Sequence, residues 1–167
     1  MNSKTVFITG ASSGIGKIVA EYLHQKGYTV YGASRNPKVS GNTPTFTLLA
    51  LDVTSDASVA QLMETFESKG IKIDVLINNA GYGLAGPLEN FTIDEAKAQF
   101  ETNFFGVARM VNAFLPVMRK QGGGLIINVG SMAGLIGLPF QGHYSASKYA
   151  LEGYLAALRM EVLPFNI

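Results

Sequence analysis

Thr9-Gly10-Ala11-Ser12-Ser13-Gly14-Ile15-Gly16 follows the short apolar run Val6-Phe7-Ile8 and opens an amphipathic segment, so it reads as strand, glycine turn and helix. Glycines let the backbone take positive φ and let a bulky anion come close. The free N–H groups and dipole of the new helix favour negative charge at that point. A pyrophosphate is the natural occupant. The spacing Gly-x-x-x-Gly-x-Gly is neither the Gly-x-Gly-x-x-Gly dinucleotide fingerprint nor a P-loop, which needs Ser or Thr after its lysine; here Ile18 follows Lys17. The turn alone does not separate a phosphate cradle from a plain corner, so the remaining chain decides.

At 167 residues, with 47% apolar and 15% charged residues, the chain suits one globular α/β domain. A net charge of +1 offers no field to attract nucleic acid or an acidic membrane, and neither is expected as a partner. There is no Cys and only His24 and His143, which argues against a disulfide framework and against a metal site. Met1 to Lys4 lead directly into the first strand without the apolar core of a signal peptide, so a cytoplasmic protein is expected. Gln121 to Ser147 carries no Asp, Glu, Lys or Arg and is long enough to span a bilayer, but its seven glycines and Pro139 break it into strand and loop.

Ser13 to Lys26 carries Ile15, Ile18, Val19, Tyr22 and Leu23 at helical spacing, a stripe expected to pack on a sheet, and Gly27 closes it. A second strand follows over residues 28–33. In a dinucleotide site an acid near the end of this strand binds the ribose hydroxyls of NAD, whereas an arginine accepts the 2′-phosphate of NADP. The chain offers Ser34-Arg35 and no acid before Asp52, which points to NADP(H). A third strand over residues 45–51 ends in Asp52-Val53. Asp52 there either begins a turn or accepts from an adenine amino group. Asp56 is expected to cap a helix that turns Val59, Leu62, Met63 and Phe66 inward.

Residues 73–77 form an almost wholly apolar fourth strand, as a strand covered on both faces must be, and run into Asn78-Asn79-Ala80-Gly81. The two amides can stitch neighbouring strand ends together, while Ala80 and Gly81 leave room for a flat ring or ribose. Thr92-x-x-Glu95 predicts a capping box for a long helical stretch through Phe100, Phe104, Val107, Val111, Phe114 and Met118, with a kink at Pro116. Asn103 lies among apolar residues of that stretch and must find polar partners. A fifth strand, residues 125–129, delivers Ser131. Tyr144, Lys148, Leu151, Leu155, Leu158 and Val162 then recur at helical spacing until Pro164, placing Tyr144 and Lys148 on one face, one turn apart.

Thr9 to Gly16, Asn78-Asn79-Ala80-Gly81, Asn103, Ser131 and Tyr144-x-x-x-Lys148, in this order and with these steps, resemble the short-chain dehydrogenase/reductase family over essentially the whole chain. Phe140 to Tyr144, Lys148 to Gly153 and Tyr31 to Arg35 most resemble the branch with 17β-hydroxysteroid and retinol dehydrogenases. The resemblance implies a doubly wound Rossmann-type parallel sheet, here with five strands in the order 3-2-1-4-5. The sixth and seventh strands of the family would be missing, so residues 1–167 would form one NAD(P)-binding domain incomplete at its C-terminus. It also implies an NADP-dependent oxidoreductase acting on a secondary alcohol or ketone. Two alternatives stand beside it: a nucleotide-binding protein without catalysis, and a 3-oxoacyl-thioester reductase.

By the same resemblance Tyr144 is the general acid/base, Lys148 acts on the phenol and the nicotinamide ribose, Ser131 hydrogen-bonds the substrate oxygen and Asn103 positions a water. Gly10, Ser12, Ser13, Gly14, Ile15, Gly16, Ser34, Arg35, Asp52, Val53, Asn79, Ala80 and Gly81 would hold the cofactor, and the complete protein would be a homodimer or tetramer. The chemistry is physically sensible. An ammonium about 5 Å from a phenolate, at an effective dielectric near 20, stabilises it by about 3 kcal/mol.

Overall fold

The computed structural model describes residues 3–37 and 45–167; Met1 and Asn2, the first half of the stretch read as the lead-in, lie outside the described residues. Five strands, β1 (Thr5–Thr9), β2 (Thr29–Ser34), β3 (Thr47–Ala50), β4 (Val75–Asn78) and β5 (Leu125–Asn128), form one parallel sheet in the order β3-β2-β1-β4-β5. This is the doubly wound order expected of the sequence. All strand carboxyl ends fall at one edge of the sheet. The strand order reverses between β1 and β4, where such sheets hold their ligands.

The central strands are apolar because both faces are covered. In β1, Phe7 packs beneath helices α2 (Asp56–Ser68) and α4 (Gly106–Lys120), while Val6 and Ile8 face α1 (Gly14–Gln25) on the other side. Leu76 and the pair Val75 and Ile77 alternate in the same way in β4. Phe7, Phe66 and Phe114 form the centre of the first face: Phe7 stacks on Phe114 at 5.7 Å and meets Phe66 edge-on at 5.2 Å. Such pairs add about 0.5–1.5 kcal/mol each beyond the area they bury. Helix α5 (Gly142–Val162) packs on α4 through Leu151, Leu158 and Val162.

Three expectations from the sequence change. In α1 only part of the expected stripe faces the sheet: Val19 and Leu23 pack there beside the buried Gly16 and Ala20, whereas Ile15, Ile18 and Tyr22 are each more than half exposed. Small residues let the helix lie closer to β1 than a row of large ones would, which rotates the large ones out. The cap of α2 is Ser55, whose Oγ accepts from the Ser58 N–H at 3.2 Å. Asp56 instead occupies the first helical position and accepts from Arg109 Nε at 2.6 Å.

The long helix after Thr92 is not continuous. It comprises α3 (Ile93–Phe100), a π-helical turn at Glu101–Phe105 around Asn103, and α4. α4 runs through Pro116 to Lys120; the carbonyl that Pro116 leaves without an N–H partner belongs to Asn112, which is exposed to water. The Thr92–Glu95 capping box is present, with Thr92 N–H donating to Glu95 Oε2 at 2.8 Å and Glu95 N–H to Thr92 Oγ1 at 3.2 Å. No described helix is long and apolar enough to cross a membrane.

Candidate cofactor and proton-transfer site

The glycine turn leaves β1 with Gly10 at φ +67 and enters α1 with Gly14 at φ +53, both left-handed conformations that glycine adopts without penalty. Gly16 is needed for a different reason. A Cβ there would stand 2.3 Å from the Gly10 carbonyl oxygen and 2.4 Å from Asn79 Nδ2. Asn79 is the bolt of this corner: its Nδ2 donates to the Thr9 and Gly10 carbonyls at 3.0 and 3.2 Å, and its own N–H donates to Thr9 Oγ1 at 3.0 Å. One strand further along, Asn78 Nδ2 donates to Asn128 Oδ1 at 2.8 Å, tying β4 to β5.

Along the carboxyl edge runs an open cleft of about 1310 Å³. It begins at Gly10, Ser12, Ser13, Gly14, Ile15 and Gly16, passes Ser34, Arg35, Asp52 and Val53 on one side and Asn79, Ala80 and Gly81 on the other. It ends at Ser131, Tyr144 and Lys148. Of the residues singled out in the sequence, only Asn103 does not line it. Asn103 is buried behind Gly81, its Oδ1 accepting from Tyr82 N–H at 3.0 Å while its Nδ2 donates to the Tyr82 carbonyl at 2.8 Å and to Ser147 Oγ at 3.1 Å.

At the β2 end the Ser34 hydroxyl is buried with no hydrogen-bond partner among the described residues, and Arg35 beside it is exposed. A buried hydroxyl without a partner is costly unless something fills its bonding capacity. Next to it Asp52 Oδ1 accepts from both the N–H and Oγ1 of Thr54, at 3.0 and 2.8 Å. The Thr54 backbone bond is the main reason the Asp52 pKa lies below the ordinary carboxylate value; burial opposes it, and the Arg35 and Arg109 charges help. Asp52 therefore forms the turn through Oδ1, the first of its two sequence readings, and it also lines the cleft.

At the far end β5 delivers Ser131, which caps a one-turn helix by accepting from the Ala133 N–H at 3.1 Å. Its hydroxyl proton is left to donate. Tyr144 stands in the first turn of α5, and its ring lies on Gly83, where a Cβ would be 3.5 Å from the ring. Lys148 is 8% exposed; its Nζ is 5.9 Å from the Tyr144 ring centre and donates to the Val129 carbonyl at 2.7 Å. Burial pushes its pKa below the ordinary lysine value, partly opposed by the Glu152 carboxylate one turn on. Gly130 leaves the space for that carboxylate, since a Cβ there would lie 2.7 Å from Glu152 Oε1.

Residues that the sequence reading missed also belong here. Thr54 fixes Asp52, the Val129 carbonyl holds Lys148, and Tyr82 is gripped by Asn103 and by the fully buried Gln99, whose Nε2 donates to the Tyr82 carbonyl at 3.1 Å. Gln99 sits one helical turn before Asn103, the single local signal that could have drawn attention to it. Among the described residues no group of His, Asp or Glu side chains could hold a metal ion.

A parallel sheet in this order, whose reversal point carries a glycine turn and whose cleft ends at a Tyr-Lys pair, has a Rossmann-type fold. A family model described as short chain dehydrogenase matches residues 4–167, and the chain belongs to that family. It is 51% identical, over its full length, to 61% of a 3-ketodihydrosphingosine reductase of Bacteroides thetaiotaomicron. It is also 40% identical, over 100% of its length, to 55% of human 17-beta-hydroxysteroid dehydrogenase type 1.

Among solved structures, a short-chain dehydrogenase from Streptomyces avermitilis superimposes with a TM-score of 0.91 at 35% identity, covering 99% of this chain and 63% of that one. Two cofactor-bound structures are similar as well. ElxO with NADP bound has a TM-score of 0.90 at 29% identity, covering 98% of this chain and 70% of that one. 4-Hydroxyisoleucine dehydrogenase with NADH has a TM-score of 0.91 at 26% identity, covering 99% and 72%. The chain thus spans about three fifths of the length of these curated relatives.

Proposed function

We propose that this chain carries the cofactor site and the proton-transfer site of an NADP-dependent oxidoreductase that interconverts a secondary alcohol and a ketone. The observation that carries this reading is the single cleft that joins the glycine turn and Ser34-Arg35 to Ser131, Tyr144 and Lys148. The residues fit the cofactor. The unpartnered Ser34 hydroxyl and exposed Arg35 suit a 2′-phosphate, and the turn around Gly14 suits a pyrophosphate at a helix N-terminus. A relative with NADP and another with NADH both occur in the family, so the preference for NADP rests on Ser34-Arg35.

A bound reduced nicotinamide would supply hydride to the carbonyl carbon. The chain's own residues manage the proton. The Tyr144 phenol donates its proton to the carbonyl oxygen, and in the reverse direction its phenolate accepts it. Ser131, whose oxygen is already committed to the Ala133 N–H, turns its O–H toward the same substrate oxygen and orients it. The Lys148 ammonium keeps two protons beyond the one given to Val129, enough to hold a ribose hydroxyl while its charge stabilises the phenolate.

The segment joining Ser131 to Tyr144 presents an apolar surface, outside the lining of the cleft itself. Met132, Leu135, Ile136 and Phe140 are all more than half exposed on the segment between Ser131 and Tyr144, which favours an apolar ketone. The relatives named for ketodihydrosphingosine and for a hydroxysteroid agree with this. Assayed with NADPH against a panel of apolar ketones and 3-oxoacyl thioesters, the chain is expected to oxidise NADPH with the ketones. Preference for thioesters would favour a 3-oxoacyl reductase, and cofactor binding without any turnover would favour a binding protein.

A further inference from the structure

We propose, on the basis of the functional reading above, that Ser147 is a positioning residue. It accepts the second Asn103 Nδ2 proton and thereby locks the cofactor-side loop Ala80-Gly81-Tyr82, which holds that amide, to the helix that carries Tyr144 and Lys148. A serine in a helix commonly bonds the carbonyl one turn back, and Ser147 does so, donating to the Tyr144 carbonyl at 2.7 Å. What sets it apart is its second partner. With its proton committed, the oxygen can only accept, and it takes the Asn103 Nδ2 proton at 3.1 Å, 44 residues away in sequence and fully buried.

The sense of the Asn103 amide is set by the Tyr82 backbone, and Ser147 takes the Nδ2 proton that Tyr82 leaves over. The amide's two N–H bonds go to the Tyr82 carbonyl and Ser147 Oγ, and its Oδ1 receives the Tyr82 N–H. Turning the amide over would set Oδ1 against the Tyr82 carbonyl and Nδ2 against the Tyr82 N–H, so both Tyr82 bonds would become repulsions, and Ser147 could meet the turned Oδ1 only by withdrawing its proton from the Tyr144 carbonyl. Gly81 rests on this arrangement, since a Cβ there would be 3.1 Å from Asn103 Oδ1. Gln99 grips the Tyr82 carbonyl from the other side. Ser147 is therefore the link through which the loop lining the cleft and the first turn of α5 hold one mutual position.

The test is a double-mutant cycle in NADPH affinity, measured by fluorescence titration on the 167-residue chain, with circular dichroism to confirm folding. Ser147→Ala is expected to weaken binding about fivefold and Asn103→Ala about tenfold, since the first removes one of the three hydrogen bonds of the Asn103 amide and the second removes all three. The double variant is expected to be no weaker than Asn103→Ala alone, because Ser147 acts through Asn103. Ser147→Thr, which keeps the hydroxyl, should stay within about twofold of the parent, whereas Ser147→Cys, which keeps the volume, should behave like Ser147→Ala.

Additive losses, or a Ser147→Ala chain with parental affinity, overturn the proposal while leaving the functional reading in place. If the threonine fails to fold, the cycle and the cysteine decide. A parent chain that binds neither NADPH nor NADH overturns the functional reading, and this proposal with it, before any variant is made.

Discussion

Replacing Gly16 with alanine tests whether the glycine turn is held by packing against Asn79. The added Cβ would sit 2.3 Å from the Gly10 oxygen and 2.4 Å from Asn79 Nδ2, whereas ordinary contacts with carbon need more than about 3.3 Å, so the corner must open by about 1 Å. Overpacking of that size costs about 1–3 kcal/mol. The two bonds from Asn79 to Thr9 and Gly10 are stretched with it, each contributing about 1 kcal/mol. A total of about 3–5 kcal/mol lowers the thermal midpoint of a domain of this size by roughly 6–20 °C.

Gly14→Ala is the control. It carries a positive φ but has nothing within 4 Å of its Cβ, so it costs only the backbone preference, about 1–2 kcal/mol. Thermal unfolding followed by circular dichroism, without cofactor, compares the two. A Gly16→Ala chain that melts within about 2 °C of the parent, or a Gly14→Ala chain that loses more, would refute the packing argument.

Arg35→Ala should weaken NADPH binding at least about tenfold and leave NADH binding nearly unchanged, because it removes a charge-assisted phosphate contact of roughly 1.5–3 kcal/mol; equal losses in a titration would remove the basis for NADP. Burial lowers the Lys148 pKa, so its ammonium is lost as pH rises through a value below the usual lysine figure of about 10.4. NADPH affinity should fall over that alkaline range, and Glu152→Gln should move the fall to lower pH; a profile flat to the ordinary lysine value would contradict this. β5 pairs on one side only, with β4, among the described residues, and Leu125 and Ile127 on it are 50% and 42% exposed. An open apolar edge invites association, so light scattering after size exclusion should show species larger than a monomer, and a monodisperse monomer would speak against it.

The features legible in the sequence are those whose cause is local. The apolar strands, the Thr92–Glu95 box and the Gly10 turn declare themselves because burial on two faces, a missing N–H partner and a positive φ each select residue types within a few positions. Tyr144 and Lys148 could be placed on one helical face for the same reason. What sequence could not give depends on distant partners. The rotation of α1 is set by how closely Gly16 and Ala20 approach the sheet, not by the breadth of its apolar stripe. The choice of Ser55 over Asp56 as cap turns on Arg109, 53 residues away, which takes the aspartate as its partner. The π-helical turn around Asn103 and the roles of Ser147, Gln99 and the Val129 carbonyl appear only when α3, β5 and α5 meet.

The most direct test of the central claim is a single-turnover measurement: NADPH with excess chain and an apolar ketone, comparing the parent with Tyr144→Phe. The phenylalanine ring keeps the packing on Gly83 and removes only the proton, so cofactor affinity should be unchanged. The account predicts slow NADPH oxidation by the parent and at least about a hundredfold less in Tyr144→Phe. Equal rates in the two chains would show that another acid serves the carbonyl oxygen, and would contradict the assignment of this cleft.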